Sequence, residues 1–113
     1  MKFTLPFPPS SNRYWRFPRG LGYPIVSREA RSYKKEAAAL AIQQGVHPIF
    51  GPVQVRVFAY RPSKRGDLDN MLKIVFDSLK GIAWIDDSQI TFLAAGRFDD
   101  KENPRIEIDV MEG

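Results

Sequence analysis

The sequence predicts a small α+β domain with a mixed β-sheet and two helices packed on one face of it. Short runs near the start, the middle and the end alternate apolar with polar residues, which is typical of half-buried strands. Two other segments carry apolar residues at spacings of three and four, which is typical of amphipathic helices. No linker, repeat or change of composition divides the 113 residues, so we expect a single domain over 1–113.

The N-terminal part predicts an edge strand, a loop and a helix. Residues 2–7 alternate and end at two prolines, which close a strand. Residues 8–26 are punctuated by proline and glycine and predict a loop. Ser27 is a good N-cap for a helix over 28–44, and Gly45 stands where a helix-ending glycine belongs. The predicted buried stripe of this helix is Ala30, Tyr33, Ala37, Leu40 and Ala41.

The second half predicts the rest of the sheet and the second helix. The clearest strand covers 53–60, where Val53, Val55, Val57 and Ala59 share one face. The later elements are a basic loop over 61–66, a helix from 68 or 69 to 79 or 80, a strand over 90–97, a polar turn over 99–104 and a strand over 105–110. The predicted order is therefore β, loop, α, β, α, β, β.

The composition excludes several classes of site. The chain has no cysteine, so disulfides, thiolate metal sites and cysteine nucleophiles are excluded. No apolar run approaches the roughly 20 residues of a membrane span, so we expect a cytoplasmic protein without a membrane partner. A net charge of +4 points weakly to a polyanionic partner such as nucleic acid.

Acidic residues surround a lysine in the second half of the chain. Asp67 and Asp69 stand at the junction between the basic loop and the second helix, Lys73 follows one turn later, and Asp87 follows an apolar turn. Carboxylates can hold a hard divalent cation, which activates water for phosphodiester hydrolysis. A neighbouring lysine can neutralise charge at the phosphate. The pattern predicts a metal-dependent phosphodiesterase site.

A structural reading of the same residues stays open. Aspartates before a helix are common N-caps and offset the helix dipole. Lys73 is equally well explained as a helical partner of Asp69 or Asp77, worth about 0.3–0.5 kcal/mol if exposed. Asp86 stands beside Asp87 with no role that the sequence assigns.

Basic residues near the acidic pattern are candidates for phosphate contacts. Arg13 and Arg16 flank Tyr14 and Trp15 near the start, and Lys64 and Arg65 lie just before Asp67. We expect Trp15 to fill the core beneath the loop rather than to stack on bases, and for Tyr14 both interpretations stay open. Lys34 and Lys35 are interpreted as a solvated helix face, and the lone His47 receives no role.

Taken together, these motifs resemble the RusA family of Holliday junction resolvases over nearly the whole chain. The matching residues are the segment Pro8-Pro9-Ser10-Ser11-Asn12-Arg13-Tyr14-Trp15-Arg16, then Asp67-Leu68-Asp69-Asn70 with Lys73, then Phe76-Asp77 with Leu79, then Trp84-Ile85-Asp86-Asp87, and Glu107 in the last strand. The aspartate and lysine arrangement is the specific part of the match.

The resemblance implies a homodimeric endonuclease that cuts four-way DNA junctions with paired symmetric nicks. It implies Mg²⁺ as cofactor, with Mn²⁺ as a substitute and no organic cofactor. Asp67, Asp69 and Asp87 then correspond to the metal-binding catalytic carboxylates, and Lys73 corresponds to a lysine needed for catalysis. It also implies a bacterial or phage origin and a role in DNA recombination and repair.

Two other functions fit parts of the pattern. A non-catalytic junction-binding module would keep the fold and the basic surface without turnover, and cleavage that depends on magnesium would distinguish the two. A phosphatase with an Asp-x-Asp motif places its first aspartate directly after a buried strand. Here residues 61–66 intervene and the chain is short, so we set the phosphatase aside.

Overall fold

The computed structural model describes residues 1–10, 14–64 and 68–113, apart from the side chain of Asp69. Its elements are β1 (Lys2–Pro6), β2 (Trp15–Arg16), β3 (Ile25–Val26), α1 (Arg28–Gln43), β4 (Val53–Arg61), α2 (Leu68–Leu79), a 3-10 helix (Asp87–Gln89), β5 (Ile90–Asp99) and β6 (Arg105–Glu112). The α+β prediction with two helices is confirmed.

The main sheet has four strands in the order β1-β6-β4-β5. β4 pairs antiparallel with β6 and parallel with β5, so the sheet is mixed as predicted. β1 pairs with β6 and forms an edge, which confirms the predicted edge strand. The parallel pair requires a crossover, and α2 supplies it between β4 and β5.

One core joins the apolar face of the sheet to the two helices. Val53, Val55 and Val57 are fully buried, as the alternation predicts. The buried residues of α1 are Ala30, Tyr33, Ala37 and Ala41, whereas Leu40 of the predicted stripe is partly buried. Burial of this apolar surface drives the packing of the two helices against the sheet.

Local signals set the ends of α1. The Ser27 side chain accepts a hydrogen bond from the Ala30 N–H, 3.1 Å away, so the predicted N-cap is confirmed. Gly45 has a φ of 88°, a left-handed conformation that suits glycine after a helix. The observed end at Gln43 lies one residue before the predicted one.

The predicted loop over residues 8–26 is wrong in part. Within it β2 and β3 form a short antiparallel ribbon that pairs Trp15 with Val26 and Arg16 with Ile25. Each strand has only two residues, which is too short to show an alternating pattern in the sequence. Among the described residues, no helix is long and apolar enough to cross a membrane.

Candidate active site

Asp87 begins the 3-10 helix that leads into β5, and its side chain is exposed. One carboxylate oxygen, Oδ1, accepts a hydrogen bond from the indole Nε1 of Trp84 at 2.8 Å. Trp84 is fully buried and packs edge-to-face on Phe76 of α2, with ring centroids 5.7 Å apart. A core side chain therefore orients the exposed carboxylate and leaves its second oxygen for another ligand.

Asp86, whose role the sequence left open, caps the 3-10 helix. Its Oδ2 accepts a hydrogen bond from the Ser88 N–H at 3.0 Å, and its Oδ1 lies 3.2 Å from Lys80 Nζ. The bonds from Ser88, helped by Lys80, lower the pKa of Asp86 to about 2. Asp86 thus acts on the backbone that carries Asp87, which is a structural role.

Gln89 closes this turn from the other side. Its Oε1 accepts hydrogen bonds from the N–H groups of Ile85 and Asp86 at 2.7 and 2.8 Å. Its Nε2 donates to the carbonyl oxygens of Ile49 and Gly51, both at 2.7 Å. Gln89 was not among the predicted site residues, although an acidic N-cap followed three residues later by glutamine is a capping-box pattern that identifies it.

α2 carries Asp69 in its first turn and Lys73 one turn later, and the Lys73 side chain is exposed. Asp77, one turn further, accepts a hydrogen bond from the Tyr14 hydroxyl at 2.8 Å and lies 3.9 Å from Lys34 Nζ. Asp77 is therefore paired with Tyr14 and Lys34 rather than with Lys73. The interpretation of Lys34 as a purely solvated residue is wrong, because it joins α1 to α2.

The described contacts connect Asp87 to α2. The Asp87 carboxylate accepts a hydrogen bond from Trp84, whose ring packs on Phe76, about two helical turns after Asp69. The described residues contain no group of three potential metal ligands. Asp67 and the side chain of Asp69 lie outside them, so the meeting of the three carboxylates stays a prediction.

The basic candidates are only partly described. Arg13 and Arg65 lie outside the described residues. Arg16 is exposed on β2, and Lys64 is exposed after β4. Lys64 is close enough to Asp99 to help Arg61, the main cause, lower the pKa of that carboxyl.

The two aromatic residues between the arginines differ in burial. Tyr14 is 1% exposed, and burial raises the pKa of its hydroxyl, with Asp77 contributing. Trp15 is 43% exposed, so its predicted place in the core is wrong. Successive residues of an extended segment point to opposite sides, and Trp15 instead packs edge-to-face on Tyr14 at 5.1 Å.

Comparison with known proteins agrees with the resemblance to the RusA family. A family described as "Endodeoxyribonuclease RusA" matches residues 6–111. A protein of Escherichia coli (strain K12) named crossover junction endodeoxyribonuclease RusA is 35% identical over 113 residues, which cover 96% of this chain and 92% of the relative. Proteins with the same name from Enterobacteria phage 82 and Shigella sonnei (strain Ss046) are each 34% identical with the same coverage.

Proposed function

Because the chain belongs to the RusA family of endodeoxyribonucleases, we propose that it resolves four-way (Holliday) DNA junctions. The proposed reaction is magnesium-dependent, paired and symmetric cleavage of phosphodiester bonds in DNA recombination and repair. The proposed location is the cytoplasm of a bacterial cell, since the relatives come from bacteria and a phage. The function of the named relatives supports the substrate class.

The observation that carries the proposal is the fixed position of Asp87. Buried Trp84 bonds to this exposed carboxylate, and Asp86 and Gln89 hold the turn that carries it. Such support from surrounding groups is what a catalytic carboxylate requires, because small displacements reduce rates strongly. The same turn lies in the segment Trp84-Ile85-Asp86-Asp87, which the resemblance identifies with the family motif.

The donor set suits a hard divalent cation. Asp67, Asp69 and Asp87 are the proposed ligands, and carboxylate oxygens are the groups that Mg²⁺ prefers. When bound, Mg²⁺ supplies a polarised water and stabilises the negative charge that develops at the phosphate. The second oxygen of Asp87 is compatible with this role because the bond from Trp84 uses Oδ1.

Basic side chains have two proposed tasks. Lys73, exposed on the second turn of α2, donates to a phosphate oxygen near the scissile bond. Arg13, Arg16, Lys64 and Arg65 bind phosphates on either side. Exposed arginine and lysine side chains contact DNA without loss of a core contact, which supports this assignment for Arg16 and Lys64.

A homodimer is part of the proposal. A four-way junction offers two equivalent strands for cutting, and a two-fold dimer offers two equivalent active sites. One site in each subunit explains how a chain of 113 residues can make paired cuts.

Cleavage of a synthetic four-way junction, with a linear duplex of matched sequence as control, tests the proposal. We expect symmetric nicks in the junction alone, in the presence of Mg²⁺ and not with a chelator. Asp69→Asn should abolish cutting and retain junction binding, whereas Glu112→Gln, which neutralises an exposed carboxylate of β6, should leave the rate unchanged. Tight binding without cutting by the unmodified protein would instead identify a non-catalytic junction-binding module.

A further inference from the structure

The hairpin formed by β2, β3 and the turn between them carries positive charge only. It covers residues 15–26, in which Arg16 and Arg19 are exposed and no residue is acidic. The first acidic side chain of the whole sequence is Glu29, in the first turn of α1. Charge that is not neutralised by neighbouring carboxylates attracts a polyanion, so this hairpin is electrostatically suited to the phosphate backbone of DNA.

Large aromatic side chains are exposed on the same hairpin. Phe17 is 76% exposed and Tyr23 is 62% exposed, and Trp15 adds a third ring within residues 15–23. Exposed apolar side chains that occur together, rather than singly, are typical of an interaction surface. Exposed rings beside arginines, without carboxylates, favour a ligand that has both phosphates and flat apolar faces. A nucleic acid is such a ligand.

Exposed aromatic rings on the main sheet lie in a different charge environment. Phe58 is 40% exposed on the face of the sheet away from the helices, directly opposite Glu107 in the register of β4 and β6. Two residues earlier on the same face, Arg56 lies opposite Asp109. Since carboxylates repel phosphates, this face of the sheet is less suited to bind DNA than the hairpin is.

The structure fixes both ends of the hairpin. At its base, the Ser27 N–H donates to the Tyr14 carbonyl oxygen at 2.8 Å, and β2 pairs with β3. At its tip, Gly20 and Gly22 have φ values of 78° and 72°, a left-handed conformation that favours glycine and turns the chain sharply. Every residue from 15 to 20 is exposed. The hairpin therefore stands clear of the core and is anchored at its base.

The base of the hairpin is tied to the helix that carries the candidate catalytic lysine. The Tyr14 hydroxyl donates to Asp77 Oδ2 at 2.8 Å. Asp77 follows Lys73 by one turn of α2, which is about 6 Å along the helix axis. Phe17 follows Tyr14 after a stretch of chain that spans at most about 10–11 Å. The exposed ring and the candidate active site are thus close enough to contact one junction within a few nucleotides of each other.

Aromatic rings distinguish the branch point of a DNA junction from its arms. In a continuous duplex each base is stacked on its neighbours, so a protein ring finds no free base face to contact. Stacking is interrupted at a branch point, and bases there cost less to expose. A ring that stacks on such a base raises the affinity by about tenfold or more, whichever base it meets. Contacts of this kind therefore select the structure of the DNA and not its sequence.

We propose that the hairpin binds the branch point of a DNA junction by stacking Phe17 and Tyr23 on unpaired bases. Arg16 and Arg19 bind the adjoining phosphates. This inference deepens the proposed function and rests on it, because it names the surface that distinguishes a junction from linear duplex. Binding by the hairpin leaves the cutting chemistry to the carboxylates and directs it to strands next to the branch point.

Leucine substitutions test the stacking, because leucine keeps apolar bulk and lacks an aromatic face. We expect a double variant with Phe17→Leu and Tyr23→Leu to bind a labelled four-way junction about tenfold more weakly. Its affinity for a linear duplex of matched sequence should equal that of the unmodified protein. A chelator is present in these titrations so that no strand is cut.

Two further variants are the controls. Phe17→Trp combined with Tyr23→Phe keeps both rings and should keep the junction affinity. Phe58→Leu changes an exposed ring outside the hairpin and should also leave the affinity unchanged. Circular dichroism checks that each variant is folded. Unchanged junction affinity of the folded leucine variant, or an equal loss for junction and duplex, would overturn the proposal.

Photo-cross-linking of the unmodified protein locates the contact directly. On irradiation, 5-iodouracil reacts mainly with aromatic side chains that are stacked on it. It replaces thymine either at the branch point or one helical turn along an arm, about 10 base pairs away. We expect cross-links to Phe17 or Tyr23, identified by mass spectrometry, from the branch point alone. Cross-links to other residues only, or equally from both positions, would contradict the proposal, and this result decides if the leucine variant does not fold.

These measurements record binding and not cutting, so they separate this inference from the proposed activity. A protein that cuts junctions and binds them equally well without the two rings refutes only the role of the hairpin, and leaves another protein as the occupant of the exposed rings. Cross-links from the branch point to the hairpin in a protein that never cuts a junction refute only the proposed cleavage. A protein that binds junction no better than linear duplex refutes both.

Discussion

At Asp87, one carboxylate oxygen accepts a hydrogen bond from buried Trp84, and Gln89 holds the backbone on both sides of the turn. The exposed Asp87 carboxylate is thereby tied to the core through the Trp84 indole. This support joins the turn to the loop at Ile49–Gly51, which is far away in sequence. The precision of the candidate site depends on residues that do not themselves perform chemistry.

Replacement of Gln89 tests this support. Gln89→Leu keeps the side-chain volume and removes the four hydrogen bonds, so we expect a loss of about 1–2 kcal/mol in the free energy of unfolding. Junction cleavage should fall while junction binding stays close to normal, because Asp87 is displaced but the basic surface is intact. Gln43→Leu, at the exposed end of α1, is the matched control. Equal effects of the two substitutions on cleavage would show that Gln89 has no positioning role.

The acid stability of the protein should depend on Asp86. Its pKa falls from 3.8 to about 2 in the folded protein, so the ionised form stabilises the fold above about pH 4. This contribution is lost as the pH falls from about 4 through 2, because the unfolded chain takes up a proton at a higher pH than the folded protein does. Denaturant unfolding at several pH values should show a smaller loss of stability over this range for Asp86→Asn. Identical pH profiles of the two proteins would contradict the proposed cap.

At the scale of elements, Tyr14 connects three segments of the chain. Its hydroxyl donates to Asp77 of α2, its carbonyl oxygen accepts from the Ser27 N–H at 2.8 Å, and its ring lies 6.0 Å from Lys34 of α1. The segment with Arg16 and the helix with Lys73 are thus held together. This connection holds the segment that carries Arg16 in a defined position relative to the helix that carries Lys73.

Loss of this connection should weaken DNA binding. Tyr14→Phe removes the bond to Asp77, and we expect a decrease of about 1–2 kcal/mol in stability together with lower junction affinity. Tyr33→Phe is the matched control, because it removes a similar partly buried hydrogen bond, 2.8 Å long, from the hydroxyl to the Pro6 carbonyl of β1. Fluorescence titration of labelled junction compares the two. If both substitutions weaken binding equally, the effect comes from general destabilisation.

At the scale of the whole molecule, the net charge of +4 and the exposed basic residues favour a polyanionic ligand. Neutralised phosphates release counterions, so the logarithm of the binding constant falls linearly with the logarithm of salt concentration. Each lost phosphate contact reduces the steepness of that line by about 1. Salt dependence therefore reports which basic side chains touch the backbone of DNA.

Lys64 is the described residue best suited to this measurement. Lys64→Ala should weaken junction binding and reduce the salt slope by about 1. Lys2→Ala, at the β1 edge of the sheet, should change neither quantity. Junction binding curves measured at salt concentrations from about 50 to 200 mM give these slopes. An unchanged slope for Lys64→Ala would remove this residue from the proposed DNA-binding set.

The sequence by itself determined most of the elements. α1, β4 and β6 lie within a few residues of their predicted positions, because capping residues and apolar periods act over distances of three or four residues. The family and its candidate site residues also follow from local motifs. These features do not depend on which elements become neighbours.

Only the tertiary structure decided how the parts meet. The ribbon of β2 and β3, the parallel pairing of β4 with β5, and the bonds from Trp84 to Asp87 and from Tyr14 to Asp77 join residues by packing, which leaves no periodic trace in the sequence. The capping box of Asp86 and Gln89 is a local pattern, whereas the bonds from Gln89 to the Ile49 and Gly51 carbonyl oxygens are tertiary contacts. The exposure of the aromatic rings on the hairpin is likewise decided by the tertiary structure, because burial is a property of the assembled fold and not of any one strand.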